Sequence, residues 1–405
     1  MSRRSIHVGL EIGTTRVRAV VAESSEHEYP RILGIGEAQS RGVRKGEIVD
    51  FNNASKCVHD ALADAQDRCD KDIDQVYLAV TGGHVQSFKQ RCSLALPEDT
   101  TIGNEHLDNL EVQAATSGIP RENQIIHAIA QRYFVDGQEG VLDPVGMTGR
   151  LLEADFQIVH GSLNRIQNSV KCVEACDVRV ASLVVSPLAS SMVVLEEQQK
   201  RDGAIVIDIG GGSTDYAVFV EGALAHSGVV AVGGDHVTND ICIALRLPNA
   251  RAERLKIDEG SVSQTIDPAK AKITMASEIG FFGRDIERDF LNYVVRVRMQ
   301  ELLEIVRDRI AEDIPDHAIG AGVFLTGGTS LLEGLSELAE SVFNGMPVTA
   351  ARAHATDGPL AALKNPGLST AIGLVHYART YDAAPDDGSL IGRVKSLFSG
   401  RLRIL

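Results

Sequence analysis

Two segments of the chain combine an acidic residue with a turn rich in glycine and hydroxyl groups. They are residues 9–15 (GLEIGTT) and residues 206–214 (VIDIGGGST). Glycine lets the backbone approach a ligand closely, and backbone N–H groups in such a turn donate to phosphate oxygens. We therefore predict two phosphate-binding turns. Their residues are Gly13, Thr14 and Thr15 in the first turn and Gly210, Gly211, Gly212, Ser213 and Thr214 in the second.

Each turn is preceded by a carboxylate at the end of an apolar strand pattern. These carboxylates are Glu11 and Asp208, and hydrated Mg²⁺ prefers carboxylate and phosphate oxygens. A single segment of this kind would favour a plain β-hairpin with a glycine turn. Two segments with the acid in the same register favour a duplicated site that holds a nucleotide phosphate chain through Mg²⁺.

Two further segments fit the other end of a nucleotide. Residues 323–328 (VFLTGG) place Gly327 and Gly328 between a strand pattern and a helix pattern, where the backbone can lie close to a ligand. Glu253 and Lys256 are three residues apart, so they share one face of a helix. They either reach the ribose or base or form an ordinary solvated helix face.

Several function classes are excluded by what the sequence lacks. There is no GxxxxGK[ST] motif, and no GxGxxG follows a strand and opens a helix, so P-loop and Rossmann sites are not expected. A formal net charge of −15 argues against a nucleic-acid-binding protein. No stretch approaches the ~20 apolar residues of a membrane span, and no signal peptide is recognisable. We expect a cytoplasmic body with reduced cysteines.

The pattern of strands and helices divides the chain into segments. Residues 1–83 and 161–203 form a first α/β unit, and residues 84–160 read as an inserted subdomain. Residues 204–382 form a second α/β unit that contains a long helix, predicted from about residue 285 to 313. Residues 383–388 (AAPDDG) are a linker by composition, and residues 389–405 form a tail.

The tail alternates apolar and basic residues at helical spacing, and it has no acid. A helix of this length, about 24 Å, is long enough to lie along a bilayer surface but too short and too charged to cross it. The alternative is a helix docked on the protein's own core. We predict contacts with an anionic membrane surface. The predicted membrane residues are Leu390, Ile391, Arg393, Val394, Lys395, Leu397, Phe398, Arg401 and Leu402.

The order of these motifs resembles the actin superfamily and, within it, the FtsA family of bacterial cell-division proteins. The superfamily motifs include residues 365–374 (NPGLSTAIGL) as well as the two turns and residues 323–328. The FtsA-like stretches are residues 42–50 (GVRKGEIVD), 76–85 (VYLAVTGGHV), 133–149 (YFVDGQEGVLDPVGMTG) and 231–241 (AVGGDHVTNDI), together with the basic tail. The resemblance implies a two-lobed actin-like ATPase fold, with an inserted 1C-type subdomain in place of 1B. It also implies ATP and Mg²⁺ in the cleft, and it adds Gly233 and Gly234 to the nucleotide site.

The resemblance further implies a role at the division septum. Members of this family form filaments on the cytoplasmic face of the inner membrane, bind the C-terminal peptide of FtsZ, and recruit later division proteins. The family's FtsZ-tail site uses arginines at the start of the long helix, and Arg284 and Arg298 stand at the matching positions.

One departure concerns hydrolysis. Related ATPases carry a glutamate before the proline of the segment that precedes the second phosphate turn, whereas this chain has Ser186 before Pro187. Serine is a poor general base without a partner, so we predict at most slow ATP hydrolysis. The alternatives are a PilM-like pilus-assembly protein, against which the tail argues, and a kinase or chaperone of the same superfamily, for which no substrate carboxylate or peptide-binding domain is found.

Overall fold

The computed structural model describes residues 5–25, 28–116, 118–277 and 282–382. The predicted linker (383–388) and the predicted membrane tail (389–405), with all of its membrane residues from Leu390 to Leu402, lie outside the described residues.

The described chain alternates strands and helices. The strands are β1 (Ser5–Ile12), β2 (Arg16–Ser24), β3 (Arg31–Gln39), β4 (Val43–Arg44), β5 (Glu47–Ile48), β6 (Gln75–Val80), β7 (Gln86–Ala95), β8 (Asn123–Val135), β9 (Gln138–Val141), β10 (Leu151–Ser162), β11 (Arg179–Val185), β12 (Ala204–Ile209), β13 (Thr214–Val220), β14 (Ala223–Val230), β15 (Lys272–Met275), β16 (Arg284–Glu287), β17 (Gly322–Thr326) and β18 (Val348–Ala350). The helices are α1 (Phe51–Cys69), α2 (Asn104–Ala115), α3 (Leu163–Glu174), α4 (Ser186–Val194), α5 (Glu197–Asp202), α6 (Gly234–Leu245), α7 (Asn249–Glu259), α8 (Arg288–Ala311), α9 (Leu335–Val342), α10 (Leu360–Leu363) and α11 (Ser369–Asp382).

Two five-stranded sheets share one plan. The first has the order β11-β6-β1-β2-β3, and the second has the order β14-β13-β12-β17-β18. In each, three consecutive strands form an antiparallel meander. A later strand pairs in parallel with the first strand of the meander, and a further strand pairs in parallel with that one. The weak sequence repeat therefore corresponds to a structural duplication, with each acid-glycine turn at the end of the first hairpin.

Helices α4 and α11 pack between the two sheets and join their cores. Buried side chains of both sheets and both helices form a single apolar cluster that includes Val20, Val206 and Leu374. At Gly373 a side chain would collide with the carbonyl oxygen of Ala189, so the backbones of α11 and α4 can approach only because this residue is glycine. The same motif, residues 365–374, reaches the site described below.

The inserted subdomain is a four-stranded sheet of order β7-β10-β8-β9, covered by α2. It touches the second unit along β14, where Ser87 Oγ donates to the carbonyl oxygen of Ser227 at 2.7 Å. Arg132 of β8 also pairs with Glu221 at 3.0 Å. The subdomain therefore bridges the two larger units as well as extending from the first.

The long helix, α8, is shorter than the sequence predicted. It begins at Arg288, not near residue 285, because residues 284–287 pair with β15 as the strand β16. Its buried face consists of Leu291, Val295, Met299 and the apolar residues that follow at helical spacing. No helix in the described part of the chain is long and apolar enough to cross a membrane.

Candidate functional site: a nucleotide cleft

The two acid-glycine turns lie against each other at the base of a cleft between the two units. Gly13 N–H donates to the carbonyl oxygen of Arg16 at 3.1 Å, and Gly210 N–H donates to that of Ser213 at 3.0 Å, which closes each turn. A Cβ atom on Gly212 would lie 2.8 Å from Cβ of Thr14. Only glycine permits this approach, and it brings the donors of both turns to one cavity of about 380 Å³.

Most of the predicted nucleotide residues line this cavity. They are Gly13, Thr14, Thr15, Gly210, Gly211, Gly212, Ser213, Glu253, Lys256 and Gly328, together with the predicted metal residues Glu11 and Asp208. A cavity of this size falls in the range of small-molecule sites, ~300–1,000 Å³.

The remaining predicted residues support the wall and do not line the cavity. Thr214 is buried, and its hydroxyl donates to the carbonyl oxygen of Val232 at 2.9 Å. Gly233 and Gly234 lie where α6 begins, and the N–H of Gly234 donates to the carbonyl oxygen of Gly210 at 3.0 Å. Gly327 has a φ of 85°, a left-handed conformation that favours glycine. These four residues therefore support, from behind, the backbone of the residues that line the cavity.

Glu11 and Asp208 line the cavity together with the two glycine turns. Burial raises the pKa of Glu11 to about 7, against the opposing field of Arg18. Burial also raises the pKa of Asp208, although a hydrogen bond of 2.8 Å from Thr370 Oγ1 opposes this shift. Oxygen Oε2 of Glu11 is buried and has no hydrogen-bond partner among the described residues. A nearby cation stabilises the ionised form of a buried carboxylate of this kind.

A further carboxylate in the cavity, that of Asp215, was missed by the sequence analysis. Burial holds the pKa of Asp215 well above its usual range, although Thr81 Oγ1 donates to it at 2.6 Å and Ser213 Oγ at 3.4 Å. Asp215 could have been found from the sequence, because it directly follows Thr214 of the second turn. Thr81 comes from the first unit, so this hydrogen bond joins the two sides of the cleft.

These carboxylates fit Mg²⁺ held through water. In the described part of the chain, no three His, Cys, Asp or Glu side chains stand close enough to ligate one metal ion directly. Mg²⁺ usually keeps several water ligands and is bound by one or two carboxylates together with substrate phosphates. The unpartnered oxygen of Glu11 and the buried carboxylate of Asp208 suit that arrangement.

Glu253 and Lys256 form a buried cluster and not a solvated helix face. The ammonium of Lys256 donates to Glu253 Oε2 at 2.7 Å, to Thr238 Oγ1 at 2.9 Å and to the carbonyl oxygen of Gly234 at 3.0 Å. The Lys256 side chain is only 9% exposed. The cluster ties α7 to α6 in the wall of the cavity.

Two apolar side chains that line the cavity were also missed by the sequence analysis. Ile257 and Leu331 line the cavity, yet each is 69% exposed. Exposed apolar surface within a cleft is suited to a flat heterocycle such as a nucleobase. Gly328 lies beside Leu331 in the same wall, so glycine backbone and apolar side chains together form that surface.

Arg284 and Arg298 lie outside this cleft, along α6. Arg284 belongs to β16 and not to the start of the long helix, because residues 284–287 are paired as a strand; its guanidinium donates to the carbonyl oxygen of Leu245. Arg298 is in the middle of α8. Its guanidinium contacts Asp240 at 2.6 Å and 3.1 Å and Glu301 at 2.5 Å. Its charge is therefore already balanced within the chain.

Comparison with known proteins identifies the family. Residues 205–373 match the family model described as cell division protein FtsA, and residues 82–160 match the SHS2 domain inserted in FtsA. Cell division protein FtsA of Pseudomonas aeruginosa is 36% identical over 370 residues, which cover 91% of this chain and 88% of that relative. The chain belongs to the FtsA family. The Escherichia coli K12 member is 34% identical over 383 residues, covering 93% and 91%.

Solved structures share the fold of this FtsA-family chain. The PilM–PilN type IV pilus biogenesis complex aligns with a TM-score of 0.62 at 15% identity, covering 91% of this chain and 97% of that one. MreB5 of Spiroplasma citri bound to ADP aligns with a TM-score of 0.55 at 14% identity, covering 93% and 97%. The predicted two-lobed actin-like fold with an inserted subdomain is confirmed, and the chain is a cell-division protein by family.

Proposed function

We propose that this FtsA-family chain binds ATP with Mg²⁺ and uses it to control assembly of a division scaffold on the cytoplasmic membrane. The observation that carries the proposal is the pairing of the two glycine turns around one cavity with buried carboxylates beside them. That arrangement offers N–H donors to a phosphate chain and a hydrated-metal position at its side. The MreB5 structures with ADP and AMPPNP share the fold, which supports a nucleotide in this cleft.

Nucleotide binding is tested directly by titrating the protein with a fluorescent ATP analogue in Mg²⁺ and displacing it with unlabelled ATP. We expect saturable binding by one molecule per chain. Gly211→Val should abolish it, because a side chain there meets Thr15 of the opposite turn. The absence of displaceable binding by the wild-type chain would refute the assignment.

Hydrolysis is expected to be slow at best. Ser186 lines the cavity, but its hydroxyl donates to the carbonyl oxygen of Val80 at 3.3 Å. A hydroxyl with no basic partner does not activate water efficiently. We therefore assign ATP a conformational role, with filament assembly as the outcome. Sedimentation with ATP and with a non-hydrolysable analogue should give equal polymer; a requirement for hydrolysis would contradict this.

We propose that the outer face of α8 and β16 binds the FtsZ C-terminal peptide. Phe290, Tyr293 and Val297 are exposed by 45%, 64% and 49%, and their spacing places them on one face of the helix. Arg284 adds a cation beside this face. An apolar stripe with a cation at its edge suits a short peptide that is both apolar and acidic. Arg298 contributes only if the peptide displaces Asp240 or Glu301.

This site is tested by fluorescence anisotropy with an FtsZ-tail peptide. Tyr293→Ala and Arg284→Ala should each weaken binding by about tenfold, or ~1.4 kcal/mol, whereas Arg254→Ala, exposed on α7, should not. If Arg298→Ala alone abolishes binding, the exposed stripe is not the recognition surface.

Membrane attachment is proposed for residues 389–405, on the sequence pattern of Leu390, Ile391, Arg393 and the residues that follow. Several tails in one filament would combine weak individual affinities into stable attachment. In vesicle flotation with anionic lipids and Mg-ATP, the full chain should float and a chain ending at Asp387 should not. Equal flotation of both chains would exclude the tail as the anchor. Other division proteins would join the assembled scaffold.

A further inference from the structure

The carboxylate end of the cavity contains a ladder of three charged side chains. Glu11 on β1, Arg18 on β2 and Glu37 on β3 are directly paired in the registers of the three adjacent strands. Directly opposite residues point to the same face of a sheet. The arginine is therefore flanked by a carboxylate on each side, and its side chain is only 17% exposed.

The two contacts of Arg18 differ. Its Nε donates to Glu37 Oε1 at 3.0 Å, which is a well-formed hydrogen bond. Its Nη1 lies 3.6 Å from Oε2 of Glu11, and that oxygen has no hydrogen-bond partner in the described part of the chain. One edge of the guanidinium therefore donates a hydrogen bond to Glu37. The other edge forms an ion pair with Glu11 that is too long to be a hydrogen bond.

The carboxylates that line the cavity outnumber its cations, so the positive charge of Arg18 matters for the binding of an anion. The carboxylates among its described lining residues are Glu11, Asp208, Asp215, Asp235 and Glu253, and the cations are Arg16, Arg18 and Lys256. Lys256 is engaged with Glu253, Thr238 and the carbonyl oxygen of Gly234. The Arg16 side chain is 50% exposed and stands 3.9 Å from Glu37. Arg18, which is half-buried, is therefore the lining cation that stands next to Glu11.

The surrounding backbone leaves room for this guanidinium. A Cβ on Gly367 would lie 2.9 Å from Arg18 Nη2. Gly367 belongs to the 365–374 motif, so the same segment that carries Thr370 to Asp208 also keeps a space open for Arg18. The position of the arginine is thus set from two sides, by Glu37 and by this segment.

We propose that Arg18 is a built-in counter-ion for Glu11, which takes the place of the divalent cation when none is bound and lets nucleotide bind without metal. This inference rests on the proposed nucleotide function. Without metal, Arg18 offsets the repulsion between Glu11 and the phosphates. With Mg²⁺ present, the hydrated ion supplies that positive charge, and the contribution of Arg18 becomes largely redundant.

The test compares the affinity for a fluorescent ATP analogue in excess EDTA and in excess Mg²⁺. Arg18→Met keeps the apolar stem and removes the charge. We expect its affinity to fall about tenfold or more in EDTA and less than about threefold in Mg²⁺, where tenfold corresponds to ~1.4 kcal/mol. Arg18→Lys should recover most of the loss. Arg44→Met, exposed on β4, should match the wild type in both buffers.

A second comparison separates an effect through Glu11 from a direct contact with phosphate. In a Glu11→Gln background the negative charge that Arg18 offsets is gone, so Arg18→Met should cost less than about threefold in EDTA. A full tenfold cost in that background, or an equal loss with and without Mg²⁺ in the single variant, overturns the proposal. If the wild type binds only with Mg²⁺, this inference fails alone; if it binds in neither buffer, the proposed nucleotide function fails as well.

Discussion

His127 links the inserted subdomain to the wall of the cleft through a buried imidazole. It lies on β8, and its Nε2 accepts a hydrogen bond of 3.2 Å from the N–H of Val185, which directly precedes Ser186. The residue is 1% exposed, its ring packs edge-on against Tyr377, and its Nδ1 has no hydrogen-bond partner among the described residues. Burial lowers the pKa of His127 from 6.5 to about 4.

The expected effect on stability follows from this difference in pKa. Between pH 6.5 and about 4, His127 is protonated in the unfolded chain but neutral in the folded chain. The contribution of His127 to the free energy of unfolding is therefore fully present above pH 6.5 and is lost as the pH falls through this window. At ~1.4 kcal/mol per pKa unit, the loss attributable to His127 is about 3 kcal/mol by pH 4. The slope is at most ~1.4 kcal/mol per pH unit for one proton.

His127→Gln removes this titration and retains an acceptor for the N–H of Val185. We expect a variant that is less stable at neutral pH, because the packing against Tyr377 is reduced, but whose free energy of unfolding falls less steeply with acid. Urea unfolding at several pH values measures both effects. His376, whose pKa is lowered by burial to about 3, contributes in the same direction and remains in both proteins.

His59→Gln is the matched control, since that imidazole is exposed on α1. It should leave the pH dependence unchanged. If His127→Gln shows the same slope as the wild type between pH 6.5 and about 4, then His127 is not held neutral by burial, and the reasoning is wrong.

Two further predictions concern the cleft. Lys256→Met should weaken nucleotide binding by about tenfold or more, because it leaves Glu253 uncompensated at the site, whereas Arg254→Met, on the exposed side of the same helix, should bind like the wild type in the same fluorescence titration. Gly212→Ala should abolish binding and lower the melting temperature, because its Cβ would fall 2.8 Å from that of Thr14; Gly83→Ala, whose nearest neighbour would be 3.7 Å away, should change neither.

Local patterns predicted an α/β fold with an inserted subdomain, which is confirmed, whereas phosphate binding by the two glycine turns stays a prediction. The alternating apolar residues 75–80 form β6, and α1 begins after Asp50, whose side chain accepts from the N–H of Asn53 at 3.1 Å. Such elements follow from local patterns because alternation, helical spacing and capping are fixed by neighbouring residues. The domain boundaries and the roles of the site residues remain predictions.

The sequence was less informative where the decision depended on residues far apart in the chain. The spacing of Glu253 and Lys256 allowed either a contact with the ribose or base or a solvated helix face, and only the docking of α7 on α6 places the ammonium against Thr238 and Gly234. The start of α8 was misjudged because the pairing of β16 with β15 overrides the helical spacing of residues 284–287. Such pairing depends on a partner strand elsewhere in the chain, and the hydrophobic periodicity of one segment carries no information about that partner.

By itself, then, the sequence determined the duplicated turns, the acids beside them and the family, because glycine, carboxylate and apolar spacing are local properties of the chain. The tertiary structure alone decided that Asp215 receives a hydrogen bond from Thr81 of the other unit, and that Arg18 stands between Glu11 and Glu37. It also decided that Arg298 is already paired with Asp240. The energy of a charge depends on its distance to other charges and on its access to water, and both are set only when the chain has folded.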